Sequence, residues 1–588
     1  MNYVDLTNAS RTLDYSDCTR TVRIALICDS TAQYMEPLFK TLLCQGGIRA
    51  DVYASAYGTA ELEVLNPTSG LYAFEPDVVV LANSVLALRD RYYTFVGDRA
   101  RFVADQTEIM GSLWTALRAH TNAAIIQTNY IVPNEQLFGS YDDRVGVSFT
   151  WAVAQLNHGI AEGVRRRNDI YLCDIDHTAA YHGRKHWLDE KMWLLAKTFC
   201  AFEYLPHAVK SVVDIILSLN GKSVKCVVLD LDNTLWGGII GDDGLEGIRL
   251  GHLCDGEAFV RFQHFLRALR QRGILLAVCS KNDPETARLP FRHHPEMVLK
   301  EDDITVFLAN WVSKAENIRH IADILRIGLG AMVFIDDNPF ERGVVRDALP
   351  EVIVPELPED PADYVRCLAE LNLFETTSYS ALDAGRADLY RIEAQRQLAQ
   401  RSFANPEDHL KSLEMKIICQ RFEAFHLPRI VQLLQRSNQF NVLTRRFNQA
   451  QCETFMHDTA NSLPVYLSLR DKYGDHGIIG VIIGRVDDQI LSIEEWVMSC
   501  RVLARGVEQF AMNFVVAEAR ARGVASIRAR YVPTARNGMV KNFFGDMGFR
   551  RTNESVEGVI DWELETSAYQ PGIHFISVDA GDALHAVR

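Results

Sequence analysis

Three short apolar runs in the middle of the chain each hand over abruptly to polar residues. Cys226 to Leu229, in KCVVLDLDNTLWGG, is apolar throughout and delivers Asp230 and Asp232 two positions apart. An unbroken run of this length reads as a strand buried on both faces. Two positions along an extended chain place both carboxylates on one side, aimed beyond the strand end. A second run, GILLAVCSKND at 273–283, ends in Ser280, and a third, AMVFIDDNP at 331–339, ends in Asp336 and Asp337 before an Asn-Pro turn signal. Between the first two, Phe259, Phe262, Leu266 and Leu269 recur at helical spacing over 257–272 and stop at Gly273, which predicts a crossover helix with a C-terminal glycine. In WVSKAENI, Ser313 and Glu316 have capping-box spacing, which puts Lys314 in the first turn of another helix. A parallel βαβ series follows, with Asp230, Asp232, Ser280, Lys314, Asp336 and Asp337 at the strand ends where such sheets bind ligands.

The flanking regions carry patterns of their own. TVRIALICDST reads as a buried strand ending at Asp29 and Ser30, and PDVVVLANS as another ending at Asn83. Residues 376–410 are rich in helix formers and charge and predict a helical connector. After it, LEMKIICQRF opens an alternating strand, and LSIEEWVMSC at 491–500 leads into the turn Arg501 to Gly506. Val507, Phe510, Ala511 and Phe514 then share one helical face. The expected organisation is α/β with domains at 1–217, 218–375 and 411–588, the middle one a Rossmann-like parallel sheet.

The central residue set describes phosphoryl transfer to a carboxylate. A hard Mg²⁺ ion takes substrate phosphate and oxygen ligands, which Asp230, Asp336 and the carbonyl of Asp232 can supply. An aspartate can attack phosphorus to form an aspartyl-phosphate, and Asp232 is placed to act as acid for the leaving oxygen and then as base for water. Ser280 and Lys314 hold the non-bridging oxygens as charge builds. Neither the chain between Thr234 and Ser280 nor that between Ser280 and Lys314 is long enough for a separate cap once the helices of the sheet are counted. Gly237, Gly238, Gly241, Gly244 and Gly247 suggest a small flap hairpin over an open mouth, with room for a long substrate arm.

DLDNT, CSKN, the isolated lysine and IDDNP together resemble the four motifs of the haloacid dehalogenase superfamily. LDLDNTLWGGIIGDDGLEGIRLG and LAVCSKNDPETA more closely resemble the FkbH-like family, whose members look like phosphatases but make glyceryl thioesters on acyl carrier proteins from 1,3-bisphosphoglycerate. The resemblance implies Asp230 as nucleophile, Asp232 as acid/base, Ser280, Lys314 and Thr234 as phosphate contacts, and Asp336 with Asp337 around Mg²⁺. The first domain resembles SGNH hydrolases, which implies Ser30 as nucleophile with Gly58 and Asn83 at an oxyanion hole. The family's DxxH is absent: WLDEKMW has Asp189 but Met192 where the histidine should fall, leaving His177, His182 and His186 as substitutes. The last domain resembles GCN5-related N-acetyltransferases. That implies a pyrophosphate loop at Arg501, Ala504, Arg505 and Gly506, with Ala504 replacing the first glycine, and a closing segment containing Asn537, Phe544 and Gly548. A helix N-terminus there suits the phosphates of a CoA or phosphopantetheine arm.

Composition narrows the classes. The 588-residue chain is 48% hydrophobic, which is ample for packed cores, and its formal net charge of −15 argues against general nucleic-acid binding. Twelve cysteines without CxxC signal neither zinc nor a disulfide framework, and suggest reduced thiols in a cytoplasmic protein. The N-terminal residues lack an export signal and no apolar stretch approaches 18 residues, so neither secretion nor a membrane is expected. Cys279 and Cys500 lie nearest the two expected sites as candidate acyl-carrying thiols, although alternation turns Cys279 away from Ser280. Glyceryl transfer to a carrier protein is the leading expectation. The rivals are a stand-alone phosphatase of a small metabolite, a CoA-dependent acyltransferase and a noncatalytic adaptor.

Overall fold

The computed structural model describes residues 2–18, 20–167, 169–252, 255–377, 379, 387–392, 406–437, 439–445, 447, 449–472, 474–499, 502–534 and 537–578. Among these the chain forms three sheets, each with its own buried apolar clusters. The first contains β1 (Thr21–Cys28), β2 (Arg49–Ala54), β3 (Val78–Ala82), β4 (Ala124–Thr128) and β5 (Ile170–Cys173), all parallel in the order β2-β1-β3-β4-β5. Every residue of β3 is buried, because helices cover both faces of the sheet.

The central sheet contains β6 (Cys226–Leu229), β7 (Leu275–Ser280), β8 (Val306–Ala309) and β9 (Met332–Ile335), parallel in the order β8-β7-β6-β9. From β6 the chain winds outward through β7 and β8, then returns to place β9 on the other side. The switch point therefore falls between β6 and β9, where open parallel sheets bind ligands. The crossover helix Asp255–Gln271 buries Phe259, Phe262, Leu266 and Leu269, and Gly273 ends it at φ +94°. Lys314 is the first residue of the helix Lys314–Leu325, but Ser313 makes no side-chain capping bond, so the expected capping box is not formed.

The flap differs in detail from a hairpin. Gly237 and Arg249 exchange backbone hydrogen bonds of 3.0 and 2.7 Å, and the chain between them winds into a short helix, Ile240–Gly247. Gly238 sits at φ +97°, with the Asp243 carboxylate where a β-carbon would project, so only glycine closes this turn.

The last sheet is mixed and has nine strands, β10 (Met415–Arg421), β11 (Phe440–Asn441), β12 (Ser462–Asp471), β13 (Gly474–Asp487), β14 (Ile490–Met498), β15 (Ser526–Tyr531), β16 (Arg550–Glu554), β17 (Ile560–Glu565) and β18 (Ile576–Val578). Of the connector expected over 376–410, residues 387–392 are helical and Pro406 begins the helix Pro406–Ser412; 378, 380–386 and 393–405 lie outside the described residues. No helix among the described residues is long and apolar enough to cross a membrane.

Candidate active site

The switch point gathers three carboxylates and an ammonium. β6 ends at Asp230, whose N–H donates to the carbonyl of Ile335 at 3.0 Å and so fastens the end of β6 to β9. Asp230 is 8% exposed, Asp336 is fully buried, and Lys314 is 3% exposed. The Lys314 Nζ lies 2.7 Å from Asp230 Oδ2 and 2.5 Å from Asp336 Oδ2. Burial alone would lower the lysine pKa, but the two carboxylates outweigh it and hold the ammonium charged. Burial, then the Asp230 charge, pushes the Asp336 carboxyl up to about 6, and the same causes raise Asp337.

A divalent cation fits this centre. Asp230, Asp336 and Asp337 each offer an oxygen, all within 4.8 Å of one another. Asp230 Oδ1 is buried without a hydrogen-bond partner, an acceptor left over once Lys314 has taken Oδ2. Three carboxylates against one ammonium leave two negative charges in a buried site, which a divalent ion would neutralise.

Asp232 stands apart from the cluster. Its Oδ1 accepts hydrogen bonds from Trp236 Nε1 at 3.0 Å and from the Ile240 N–H at 2.9 Å, and its Oδ2 accepts one from Asn282 Nδ2 at 2.7 Å. The same Asn282 amide reaches Ser280 Oγ at 3.3 Å. Asp232 thus joins the flap to the loop after β7. Ser280 lies beside it at the end of β7, as expected from alternation. Asn282, Trp236 and a buried arginine, Arg342, were not anticipated. Asn282 lies in the loop two residues beyond β7, where strand alternation no longer places side chains.

Several expected roles are corrected by the geometry. Thr234 is fully buried, and its hydroxyl and the Asp337 backbone and side chain bond one another at 3.2 Å, so it is a strut under Asp337 rather than a phosphate contact. Cys279 is buried on the face away from Ser280, its Sγ 3.7 Å from the Lys314 carbonyl, and burial pushes its thiol far up. It is not accessible as an acyl carrier. Cys500 and Arg501 lie outside the described residues.

At the first sheet, Ser30 is fully buried and its Oγ has no hydrogen-bond partner, so no base activates it. Asp189 instead caps the helix Glu190–Ala196 by accepting the Met192 N–H. Asn83 donates to the Tyr130 hydroxyl at 3.2 Å, and Gly58 lies open at φ +76°. The polar focus is Asp29, which accepts the Ser84 N–H at 2.6 Å, pairs with Arg91 at 3.1 Å and is pushed up to about 6, chiefly by burial.

At the last sheet, the expected phosphate loop is already engaged by the protein. The Ala504 N–H donates to Glu508 at 2.8 Å, Arg505 is buried 3.8 Å from Asp471, and Gly506 lies under His574. Asn537 is fully buried; its amide donates to the Asn441 and Val532 carbonyls, and its oxygen accepts the Thr534 N–H. β14 and β15 pair only at Ile490–Ser492, and beyond that β11 lies against β14, with buried Glu495 accepting the Leu443 and Arg445 N–H groups. Burial pushes the Glu495 carboxyl up to about 7.

Comparison with known proteins places this geometry. Residues 23–217 match the model for the FkbH N-terminal domain. The structure of the N-terminal part of protein BF1531 from Bacteroides fragilis, which contains a phosphatase domain and was solved with Mg, is 37% identical. The match covers 64% of this chain and all of that one, with a TM-score of 0.61. Two acetyltransferase structures align over a smaller part, each with a TM-score of 0.21: the ribosomal-protein-S18-alanine N-acetyltransferase of Escherichia coli, at 14% identity over 27% of this chain and 99% of that one, and the GNAT domain of S. lividans PAT, at 18% identity over 25% and 89%. No curated protein sequence matches the chain. The chain therefore carries an FkbH N-terminal domain over residues 23–217 and belongs with the BF1531 phosphatase-domain protein, and its central sheet carries a phosphatase-type domain.

Proposed function

We propose that the protein removes the ester phosphate of 1,3-bisphosphoglycerate and passes the glyceryl group to the phosphopantetheine thiol of an acyl carrier protein. The observation that carries the phosphoryl-transfer half is the orphaned Oδ1 of Asp230, held beside a buried ammonium at the switch point. Asp230 attacks the ester phosphorus through one carboxylate oxygen while Lys314 steadies the carboxylate. The P–O bond to the glyceryl oxygen breaks and Asp232 gives that oxygen a proton, which requires it to leave Asn282. Asp232 then takes a proton from water, which attacks the aspartyl-phosphate and releases inorganic phosphate. Lys314 and Ser280 face the charge that develops on the phosphoryl oxygens. A bound Mg²⁺ would be held by Asp230, Asp336 and Asp337 and would supply further positive charge to those oxygens.

The acyl end needs less help. A thiolate attacks the carbonyl of the acyl phosphate, the thioester C–S bond forms, and phosphate leaves with the electron pair of the C–O bond. The small flap suits this reading because a tethered substrate needs an open mouth. The experiment is intact-protein mass spectrometry of a phosphopantetheinylated carrier with this protein, Mg²⁺ and freshly generated 1,3-bisphosphoglycerate, beside Asp230→Asn. The expected result is a glyceryl mass shift, replaced by a phosphoglyceryl shift or none in the variant.

A second reading, a stand-alone phosphatase, is favoured by the last sheet. Ala504 and Asn537, which would have met a coenzyme arm, spend their donors internally. That same observation weighs against a CoA-dependent acyltransferase. Phosphate release without any carrier adduct would establish the phosphatase reading instead.

A further inference from the structure

Arg342 is a buried cation to which the chemistry above assigns no task. It lies one turn into the helix Pro339–Ala348, which starts directly after the Asp336–Asp337 pair, and it is 6% exposed. Its Nη1 donates to two successive backbone carbonyls, that of Asp336 at 2.9 Å and that of Asp337 at 2.7 Å. Its Nε and Nη2 grip Glu356 at 3.1 and 2.9 Å, and Arg346 holds the same carboxylate from its other side. Asn338 completes the turn, donating its N–H to Asp336 Oδ1 at 2.8 Å and accepting the Phe340 N–H at 2.9 Å.

The physical consequence concerns direction. β9 ends at Ile335, so the carbonyls of Asp336 and Asp337 have no strand ladder to fix them. One guanidinium nitrogen bonded to both sets the planes of two consecutive peptides, and with them the directions in which the Asp336 and Asp337 side chains leave the backbone. A guanidinium presents five donors in a rigid plane, so the bonds to Glu356 also stop it rotating. Lys314 touches the carboxylates themselves; Arg342 bonds the backbone behind them. We propose that Arg342 is the positioning residue of the cation site, aiming Asp336 and Asp337 at the ion and thereby setting the affinity for Mg²⁺. This rests on reading the acidic cluster as a metal centre.

The test is calorimetric titration of the full chain with Mg²⁺, with Mn²⁺ binding followed by electron paramagnetic resonance, for the unmodified protein, Asp336→Asn, Arg342→Met, Arg342→Lys and Glu356→Gln. Partners behind a metal ligand typically change affinity by about 10- to 100-fold. Arg342→Met is expected to weaken binding by that factor, Glu356→Gln by less than about tenfold, and Arg342→Lys to fall between them, because an ammonium restores the charge without the planar fork. Far-UV circular dichroism of each variant separates lost aim from lost fold; if Arg342→Met does not fold, the Lys and Gln variants decide. Saturable binding lost in Asp336→Asn but unchanged in folded Arg342 and Glu356 variants would overturn the inference and leave the metal centre standing. Equal binding by the unmodified protein and Asp336→Asn would overturn both.

Discussion

Replacing Lys314 by Met removes a charge while keeping a stem of similar length in its slot beside Phe334. The ammonium is almost wholly buried and contacts two carboxylates, one fully buried and one nearly so. Removing one partner of a buried ion pair costs about 3–5 kcal/mol, because the opposite charge stays behind without compensation. For a unit of about 150 residues, each kcal/mol moves the midpoint by roughly 2–4 °C, so the central unit should unfold roughly 6–20 °C lower in EDTA. Saturating Mg²⁺ supplies another cation and should recover part of the loss by binding only the folded state. Scanning calorimetry of the full chain with EDTA and with Mg²⁺ measures both. Turnover of an aryl phosphate should still fall by about 10²–10³, since stability restored by metal does not replace a donor to the phosphoryl oxygens. A transition in EDTA unmoved by the substitution would refute the reasoning, because it would mean that the carboxylates are not held by this charge.

Three other outcomes follow from the geometry. Asp232→Asn should slow hydrolysis of alkyl phosphates by about 10²–10⁴ and of p-nitrophenyl phosphate far less, since a good leaving group needs no proton; equal losses on a leaving-group series would count against the acid role. The Asp336 carboxyl is raised to about 6, above its ordinary value, so the folded chain binds that proton more tightly than the unfolded chain does. The cost of ionising it is absent below the ordinary carboxylate range and complete above about 6, so the midpoint of metal-free protein should fall between about pH 4 and 6 while stabilisation by Mg²⁺ grows, as midpoints with and without EDTA will show. Cys279→Ala should leave carrier loading intact at a cost of about 1 kcal/mol, and a glyceryl adduct on the protein that disappears in this variant would contradict the buried-thiol assignment.

Much of the site could be read because its residues follow short buried strands. β6 covers the four residues the apolar run predicts, and alternation correctly separates Cys279 from Ser280. Asn282 lies two residues beyond the end of β7, in the loop, where alternation no longer fixes a side chain. Arg342 could not be found this way: its side chain reaches back over the start of its own helix to carbonyls five and six residues earlier, a geometry no periodicity encodes. The last sheet shows a different limit. The helix starts at Val507 as the pattern suggests, yet Glu508, one residue later, takes the Ala504 N–H, and Phe440 to Arg445 lie in the gap between β14 and β15. Local sequence shows where a phosphate loop would form, but not that Glu508, Asp471 and His574 of the same chain already engage it. Ser313 erred in the opposite sense, having the right spacing for a capping box and making no capping bond.

The three hydrogen bonds on Asp232 also link timing to geometry. One of its donors, Ile240, belongs to the flap, the buried Trp236 directly precedes it, and the third lies in the loop after β7, so one carboxylate fastens two separate parts of the site. Any swing that carries it toward a substrate oxygen loosens the Ile240 and Asn282 contacts together. In the proposed mechanism, proton delivery and release of the flap would share a single coordinate, so that each turnover would unlatch the mouth through which product and substrate exchange.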